Sequence, residues 1–383
     1  TTLALVALVQ SEGSDMPIKY SAPISAPQMK RVKHWLDVHE RAWKDLDLGR
    51  AHVTLVITDE EDEAYRFFEN ENTGGVPLSA ADIIKAHHLR VLAEDEQTSY
   101  ALKWEAAESV HASKSVNRTL EYLLAIRWGE RRGWWGEFPT KHEPLRMRAE
   151  LLEEFQDACR SSNTADVNGY PLVRLVRDAE RMMCELGSDP FHAHQPLTEG
   201  RTTLDFILVF HELRDRILDR NMSRFKFFQE FYDEVIAPGE VWMFKRYFDA
   251  AILVYAHRHG LDHLHEAAMR IWRAMYGRRF SNPKGVKNDS VQDHLYHHRV
   301  YHALANSFDH EDAMARVRCV PFGMDPENTK GGGTKARYLR KVLTYFDQSK
   351  LAKRSTKSKY TSVDSWSDDV DEWIEMKLIE CKS

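Results

Sequence analysis

Apolar residues recur three and four positions apart through most of residues 100–276, and this pattern constrains the fold more than any other feature of the sequence. Side chains at those spacings share one face of an α-helix. The pattern runs through LEYLLAIRW, ELLEEFQDA, PLVRLVRDAERMMCEL, TLDFILVFHELRDRIL, WMFKRYFDAAILVYAHRHG and LHEAAMRIWRAMYG. Loops rich in Pro and Gly separate several of these segments. The sequence therefore predicts a multi-helix domain.

Two short segments outside this region are predicted to be strands. HVTLVIT, residues 52–58, is β-branched and lies between a Gly and an acidic run. WIEMKLIECKS at the end of the chain alternates in the manner of a strand. We therefore expect a mainly α protein with a small α+β part at its N-terminus. The predicted domains are residues 1–95, a helical domain at 96–280, and a helical C-terminal region at 281–383 that holds a basic segment and the terminal strand.

Composition excludes several classes of protein. The chain is 43% hydrophobic and 29% charged, which is typical of a globular protein without membrane spans. No run of about 18 uninterrupted apolar residues is present. The four cysteines are scattered without a C-x-x-C pair, which favours a reducing cytoplasm. Because the net charge is −6, any binding to nucleic acid must come from a local basic patch.

The stretch RFFENENTGGVPLSAADIIKAHHL, residues 66–89, joins an amide-rich turn to a strong helix start. Ser79 and Asp82 have the spacing of a capping box. Gly74 and Gly75 permit left-handed backbone conformations in the preceding turn. A capped turn between two helices explains these residues. The same backbone amides, near a helix N-terminus, are also suited to an anion.

The order F-E-x-x-N-T-x-G-x-x-L-S-x-x-D-I-I-K-A in this stretch resembles the GmrSD-type restriction endonuclease N-terminal domain family. The residues expected to carry the nucleotide or domain motif are Asn72, Thr73, Gly75, Asp82 and Lys85. The other matching positions are Phe68, Glu69, Leu78, Ile83 and Ile84, whereas Glu71 stands where the family usually has an apolar residue. The resemblance covers residues 1–95 and implies a ParB/sulfiredoxin-like core.

The same resemblance implies a DNA-targeting anti-phage or restriction protein, an endonuclease that uses Mg²⁺ and a nucleotide, GTP or ATP, on DNA. In the family an Asp-Gly-Gln-Gln-Arg element precedes an L-T-T-L segment, and the opening TTLAL resembles that second segment. We therefore expect the sequence to begin just after the nucleotide element. The family's E-H-I-x-P nuclease signature is not visible. The alternative is a non-catalytic helical scaffold or adaptor subunit of a defence complex, and both a homo-oligomer and a partner subunit stay open.

The end of the chain offers a second nuclease pattern. Glu380 and Lys382 reproduce the E-x-K half of a P-D…(D/E)-x-K signature, and the candidates for its upstream acid are Asp371, Asp369 and Asp368. In that chemistry the two acids hold Mg²⁺ and the lysine assists the attacking water. The alternative is that this segment forms an alternating edge strand without catalytic function.

Residues 330–360 form the basic segment, in which Tyr338, Tyr345 and Tyr360 are interleaved. Cations that follow a phosphate backbone, with aromatic rings for stacking, are typical of nucleic-acid binding. The alternative is a solvated helix face followed by a lysine-rich linker. The predicted DNA contacts are Lys335, Arg337, Arg340, Lys341, Lys353 and Arg354.

Two histidine-rich segments are candidate metal sites. His294, His298 and His302 are spaced by four residues, so on one helix they would share a face and could bind a transition metal. A second group, His257, His259, His263 and His265, lies on both sides of Gly260, so its geometry is undefined. The alternative, which the sequence favours, is that both segments hold ordinary histidines on partly exposed helix faces.

Overall fold

The computed structural model describes residues 34, 63, 79–108, 115–129, 144–159, 173–177, 182–186, 192–218, 225–281, 286, 288–323, 333–348 and 367–382. The chain divides into two compact units, one of residues 1–78 and 101–106 and the other of residues 79–100 and 107–383. Nearly all described residues belong to the second unit. The predicted strand at 52–58 lies outside the described residues, and the predicted domain boundaries stay predictions.

The described part of the chain is mainly helical, as the sequence predicts. The helices are α1 (Ala80–Arg90), α2 (Glu94–Ala107), α3 (Val116–Gly129), α4 (Pro144–Leu152), α5 (Arg201–Leu218), α6 (Lys226–Phe231), α7 (Trp242–His259), α8 (Leu264–Ser281), α9 (Asn288–His298), α10 (Val300–Ala305), α11 (His310–Arg318), α12 (Thr334–Tyr345) and α13 (Ser367–Lys382). A π-helical turn extends α4 over Glu153–Asp157 and α6 over Tyr232–Ile236. A 3₁₀ turn, Gly239–Val241, precedes α7.

Helix α7 lies at the centre of the second unit. Every residue from 247 to 256 is buried, which is the pattern of a helix enclosed on all sides. It packs against α3, α5, α8 and α10. Helix α8 extends this core, because it contacts α6, α9, α11 and α13 as well as α7. These two helices therefore organise the elements that carry the candidate sites.

Helix α1 begins with the predicted capping box. The Asp82 amide donates to Ser79 Oγ at 3.2 Å, and the Ser79 amide donates to Asp82 Oδ2 at 3.2 Å. Two amides that have no partner within the helix are thereby satisfied. Ile83 and Ile84 are buried below them. The capping prediction is confirmed, and it assigns the Asp82 carboxylate to the helix start.

The predicted C-terminal strand is wrong, because Ser367–Lys382 forms helix α13. Val370, Trp373 and Ile374 are buried at helical spacing, and α13 packs on α8. Apolar residues in this short segment fit a helical period as well as alternation, and the packing partner decides between them.

The helix predicted over PLVRLVRDAERMMCEL is also wrong. Its residues form two antiparallel strands, β1 (Val173–Arg177) and β2 (Met182–Leu186), with Val173 opposite Leu186 and Arg177 opposite Met182. Short apolar runs of this length are compatible with both periods, and the β-branched Val173 and Val176 favour the extended form.

None of the described helices is both long enough and apolar enough to cross a lipid bilayer.

Candidate functional site

Helix α12 carries a basic surface. Its apolar side is buried, and Tyr338 fixes it there by donating to the Val235 carbonyl at 3.0 Å and accepting from Trp272 Nε1 at 2.9 Å. With 3.6 residues per turn, Arg337, Arg340 and Lys341 fall on the opposite side, and all three are exposed. We call these three residues the α12 basic face.

Glu240 orients two of these cations. Lys341 Nζ donates to Glu240 Oε2 at 3.0 Å, and Arg337 Nε lies 3.8 Å from Glu240 Oε1. The hydrogen bond from Lys341 lowers the pKa of the Glu240 carboxyl group below its usual range. One carboxylate therefore offsets part of the charge of three cations, and the face stays positive.

Not every predicted DNA contact joins this face. Lys335 is half-buried and lies two residues before Arg337, nearly on the other side of the helix. Lys353 and Arg354 lie outside the described residues. Tyr338 and Tyr345 are buried, so the prediction that they interleave with the cations for base stacking is wrong. The two tyrosines are seven residues apart, so they share the face of α12 that packs into the core.

Only part of the motif that resembles the GmrSD-type family lies within the residues that the structure describes. Asn72, Thr73 and Gly75 lie outside it. Asp82 closes the capping box of α1, and Lys85 is half-buried on the next turn of that helix. Asp82 therefore has a structural role at a helix start, and the role of the motif in nucleotide binding stays a prediction.

The predicted nuclease residues do not converge. Asp371 Oδ1 pairs with Arg273 Nε at 2.9 Å, whereas Glu380 Oε2 pairs with Lys377 Nζ at 2.8 Å. Both acids lie on α13 nine residues apart, about two and a half turns, so they point to opposite sides of the helix. Lys382 belongs to the same helix. The strand-based E-x-K arrangement is not formed, and these two acids do not fit a shared Mg²⁺ ion.

The predicted face of three histidines is interrupted. Arg299 adopts a left-handed conformation with φ of 49°, which ends α9 and starts α10, so His302 is on a different helix from His294 and His298. The His294 and His298 ring centroids are 4.5 Å apart, and His294 Nε2 donates to the Ala274 carbonyl at 2.8 Å. Burial lowers the pKa of His294 to about 4. The common-face prediction is wrong because it assumes one uninterrupted helix.

The structure assembles a different group of metal-ligand side chains from α8 and α11. His263 precedes α8, Glu266 lies in its first turn, and His310 is the first residue of α11. Each offers a ligand atom, and these atoms lie within 4.8 Å of one another. We call these residues the HEH cluster. Of these three residues only His263 is in a histidine-rich segment of the sequence, although His263 and Glu266 have the i, i+3 spacing of neighbours on one helix face. His310, 44 residues after Glu266, has no local signal in the sequence.

One comparison places the chain in a family. A model described as a family of unknown function (DUF7834) matches residues 96–322, more than half of the chain. The chain belongs to this family. No curated protein matches the chain, and no solved structure does.

The DUF7834 match covers the central helices α7 and α8 and includes all three residues of the HEH cluster. It ends before α12, so the basic face lies beyond it, and it begins after the capping box of α1. The HEH cluster therefore lies within the region that matches the family, whereas the α12 basic face follows that region.

Proposed function

We propose that this chain is part of a DNA-targeting defence protein, a nucleotide-regulated endonuclease of the GmrSD-like class, and that α12 contributes a contact to the DNA backbone. The resemblance of residues 66–89 supports the class. The α12 basic face supports the contact. In this proposal a ParB-like N-terminal part, and the nucleotide and Mg²⁺ chemistry, belong to residues outside those the structure describes.

The observation that carries the proposal is the exposure of Arg337, Arg340 and Lys341 on one side of a helix whose other side is fixed in the core. Buried Tyr338 prevents the helix from rotating about its axis, so the three cations keep a common direction. Guanidinium groups suit phosphate because their donors form a planar fork. Cations at such positions displace counterions from DNA, which makes the binding independent of sequence and dependent on salt.

The interaction of Glu240 with Arg337 and Lys341 supports a backbone contact rather than a base contact. A carboxylate that shares its oxygens between two cations limits the range of their side chains, which favours a fixed spacing of positive charge. Arg340 lies on the same face one turn after Arg337 and next to Lys341. We expect Arg340 to make the strongest phosphate contact.

Two assays on the protein with its native termini test this proposal. Fluorescence anisotropy with a labelled duplex of mixed sequence measures binding, and plasmid nicking with Mg²⁺ and GTP or ATP measures cleavage. We expect duplex binding that weakens with salt, and cleavage that needs both the metal and the nucleotide. Absence of duplex binding at low salt would contradict the DNA contact, and cleavage that ignores the nucleotide would contradict the GmrSD-like class.

A non-catalytic adaptor is the second candidate, and a specific observation favours it. Asp371, a predicted catalytic acid, is held by the buried Arg273 beneath α13. In addition, Trp242 and Ile379 are 64% and 69% exposed, so both side chains are accessible to a partner protein. An adaptor would bind DNA or a partner protein without cleaving plasmid under any combination of metal and nucleotide.

A further inference from the structure

The HEH cluster brings two imidazoles and one carboxylate together where two helices begin. His310 Nε2 lies 3.2 Å from Glu266 Oε2, and the His263 and His310 ring centroids are 4.4 Å apart with nearly parallel rings. Glu266 and His310 are half-buried, whereas His263 is exposed. Three ligand-bearing side chains thus share one side open to solvent.

The spacing fits coordination by a transition metal. Ligand bonds of about 2.0–2.2 Å at tetrahedral angles place two donor atoms roughly 3.4 Å apart. The 3.2 Å between His310 Nε2 and Glu266 Oε2 is already close to this value. The ligand atoms of the cluster lie within 4.8 Å of one another, so His263 has to approach by at most roughly 1.4 Å to reach the same spacing. Its exposed side chain can make that movement without disturbing the core.

Neighbouring side chains hold the two half-buried ligands in place. Tyr255 Oη lies 2.8 Å from His310 Nδ1, which leaves Nε2 directed toward Glu266. Arg270 Nε donates to Glu266 Oε1 at 2.8 Å, which leaves Oε2 directed toward His310. Metal-binding histidines and carboxylates are typically oriented in this way by hydrogen bonds on the atom that does not bind the metal.

The charge near the cluster does not prevent cation binding. Arg270 is the cation in contact with Glu266, and it also donates to Glu375 Oε1 at 2.6 Å, so two carboxylates share its charge. The ligand set of two histidines and one carboxylate, with remaining positions for water, occurs in zinc and non-haem iron sites.

We propose that His263, Glu266 and His310 bind a divalent transition metal. This site is independent of the proposed DNA contact, because it belongs to α8 and α11 and shares no residue with the α12 basic face. The cluster lies within the region that matches the family.

Calorimetric titration with Zn²⁺ tests the site on the full chain after treatment with a chelator and dialysis. We expect about one equivalent to bind, and we expect Co²⁺ to give the visible absorption bands of a nitrogen- and oxygen-ligated ion. Replacing an exposed ligand does not alter the core, so His263→Ala is the informative variant. Loss of a group that orients a ligand weakens metal binding about 10- to 100-fold, and loss of the ligand itself removes a bond to the metal. We expect at least that change in the zinc dissociation constant.

The controls use histidines elsewhere on the surface. His297→Ala removes an exposed imidazole paired with Asp293, and His298→Ala removes the partner of His294 on α9. Both variants are expected to bind zinc as the unmodified chain does. Absence of saturable binding in the unmodified chain would overturn the proposal. So would an unchanged affinity in His263→Ala, or an affinity lost in His298→Ala and kept in His263→Ala. Circular dichroism on each variant verifies that the helices are retained.

Discussion

The Tyr122 hydroxyl group donates a hydrogen bond of 3.0 Å to the Asp249 carboxylate and so joins α3 to α7. Tyr232 donates to the other carboxylate oxygen at 2.7 Å, and Lys245 Nζ lies 2.9 Å from the first. Asp249 is almost completely buried on the central helix. Three donors from three elements therefore meet at one buried carboxylate.

Replacing this carboxylate is expected to destabilise the whole second unit. Asp249→Asn keeps the shape but replaces one acceptor with a donor, so a buried tyrosine hydroxyl or Lys245 loses its partner. We expect a loss of about 3 kcal/mol in the free energy of unfolding, because groups left unsatisfied in the core cost about 1–3 kcal/mol each. Urea denaturation followed by circular dichroism measures it. The matched change Asp293→Asn, at an exposed ion pair, is expected to cost less than about 1 kcal/mol. Equal losses in the two variants would contradict this role of Asp249.

The burial of His294 predicts that the folded protein loses stability at acidic pH. Burial lowers the pKa of His294 to about 4 from an ordinary value of 6.5. As pH falls below 6.5 the unfolded chain takes up a proton at this residue that the folded chain resists. The burial of His294 therefore lowers the free energy of unfolding as pH falls from 6.5 toward about 4. Above pH 6.5 this residue does not change the free energy of unfolding with pH.

His294→Gln isolates that effect, because a glutamine amide can donate to the Ala274 carbonyl as Nε2 does but does not titrate. Between about pH 7.5 and about pH 5 we expect the variant to lose less unfolding free energy than the unmodified chain, by up to roughly 2 kcal/mol. Urea titrations at both pH values measure the difference. Parallel losses in the two proteins would show that His294 does not contribute.

Much of this fold follows from the sequence, and the departures have physical causes. The sequence predicts helices α7 and α8 and the cap at Ser79 correctly. The helical spacing of apolar residues and the chemistry of a helix cap both depend on residues close together in the sequence. Helix α13 and the β1–β2 pair are not, since short apolar segments fit two periods and packing chooses between them. The HEH cluster is missed for a related reason: His310 comes close to Glu266 through the packing of α11 on α8, which no local pattern encodes.

Asp371 is expected to anchor α13 rather than to catalyse. It pairs with Arg273, whose Nη1 also donates to the Val320 carbonyl at 2.7 Å. Asp371→Asn leaves the buried Arg273 without its countercharge, which we expect to cost about 2 kcal/mol and to expose α13 to protease. Limited proteolysis and urea denaturation measure both effects. Glu372→Gln, an exposed neighbour on the same helix, is the control. A variant that loses plasmid cleavage with unchanged stability would instead support the catalytic role.

The most direct test of the account is the salt dependence of DNA binding by a variant of the α12 basic face. Each phosphate contact on a duplex contributes about 0.9 to the slope of log K against log salt. Arg337→Gln with Arg340→Gln should therefore lower that slope by about 2. Lys226→Gln with Arg316→Gln removes the same charge from exposed positions on α6 and α11 and should leave the slope unchanged. Equal slopes in the two double variants would contradict the proposed contact between α12 and DNA.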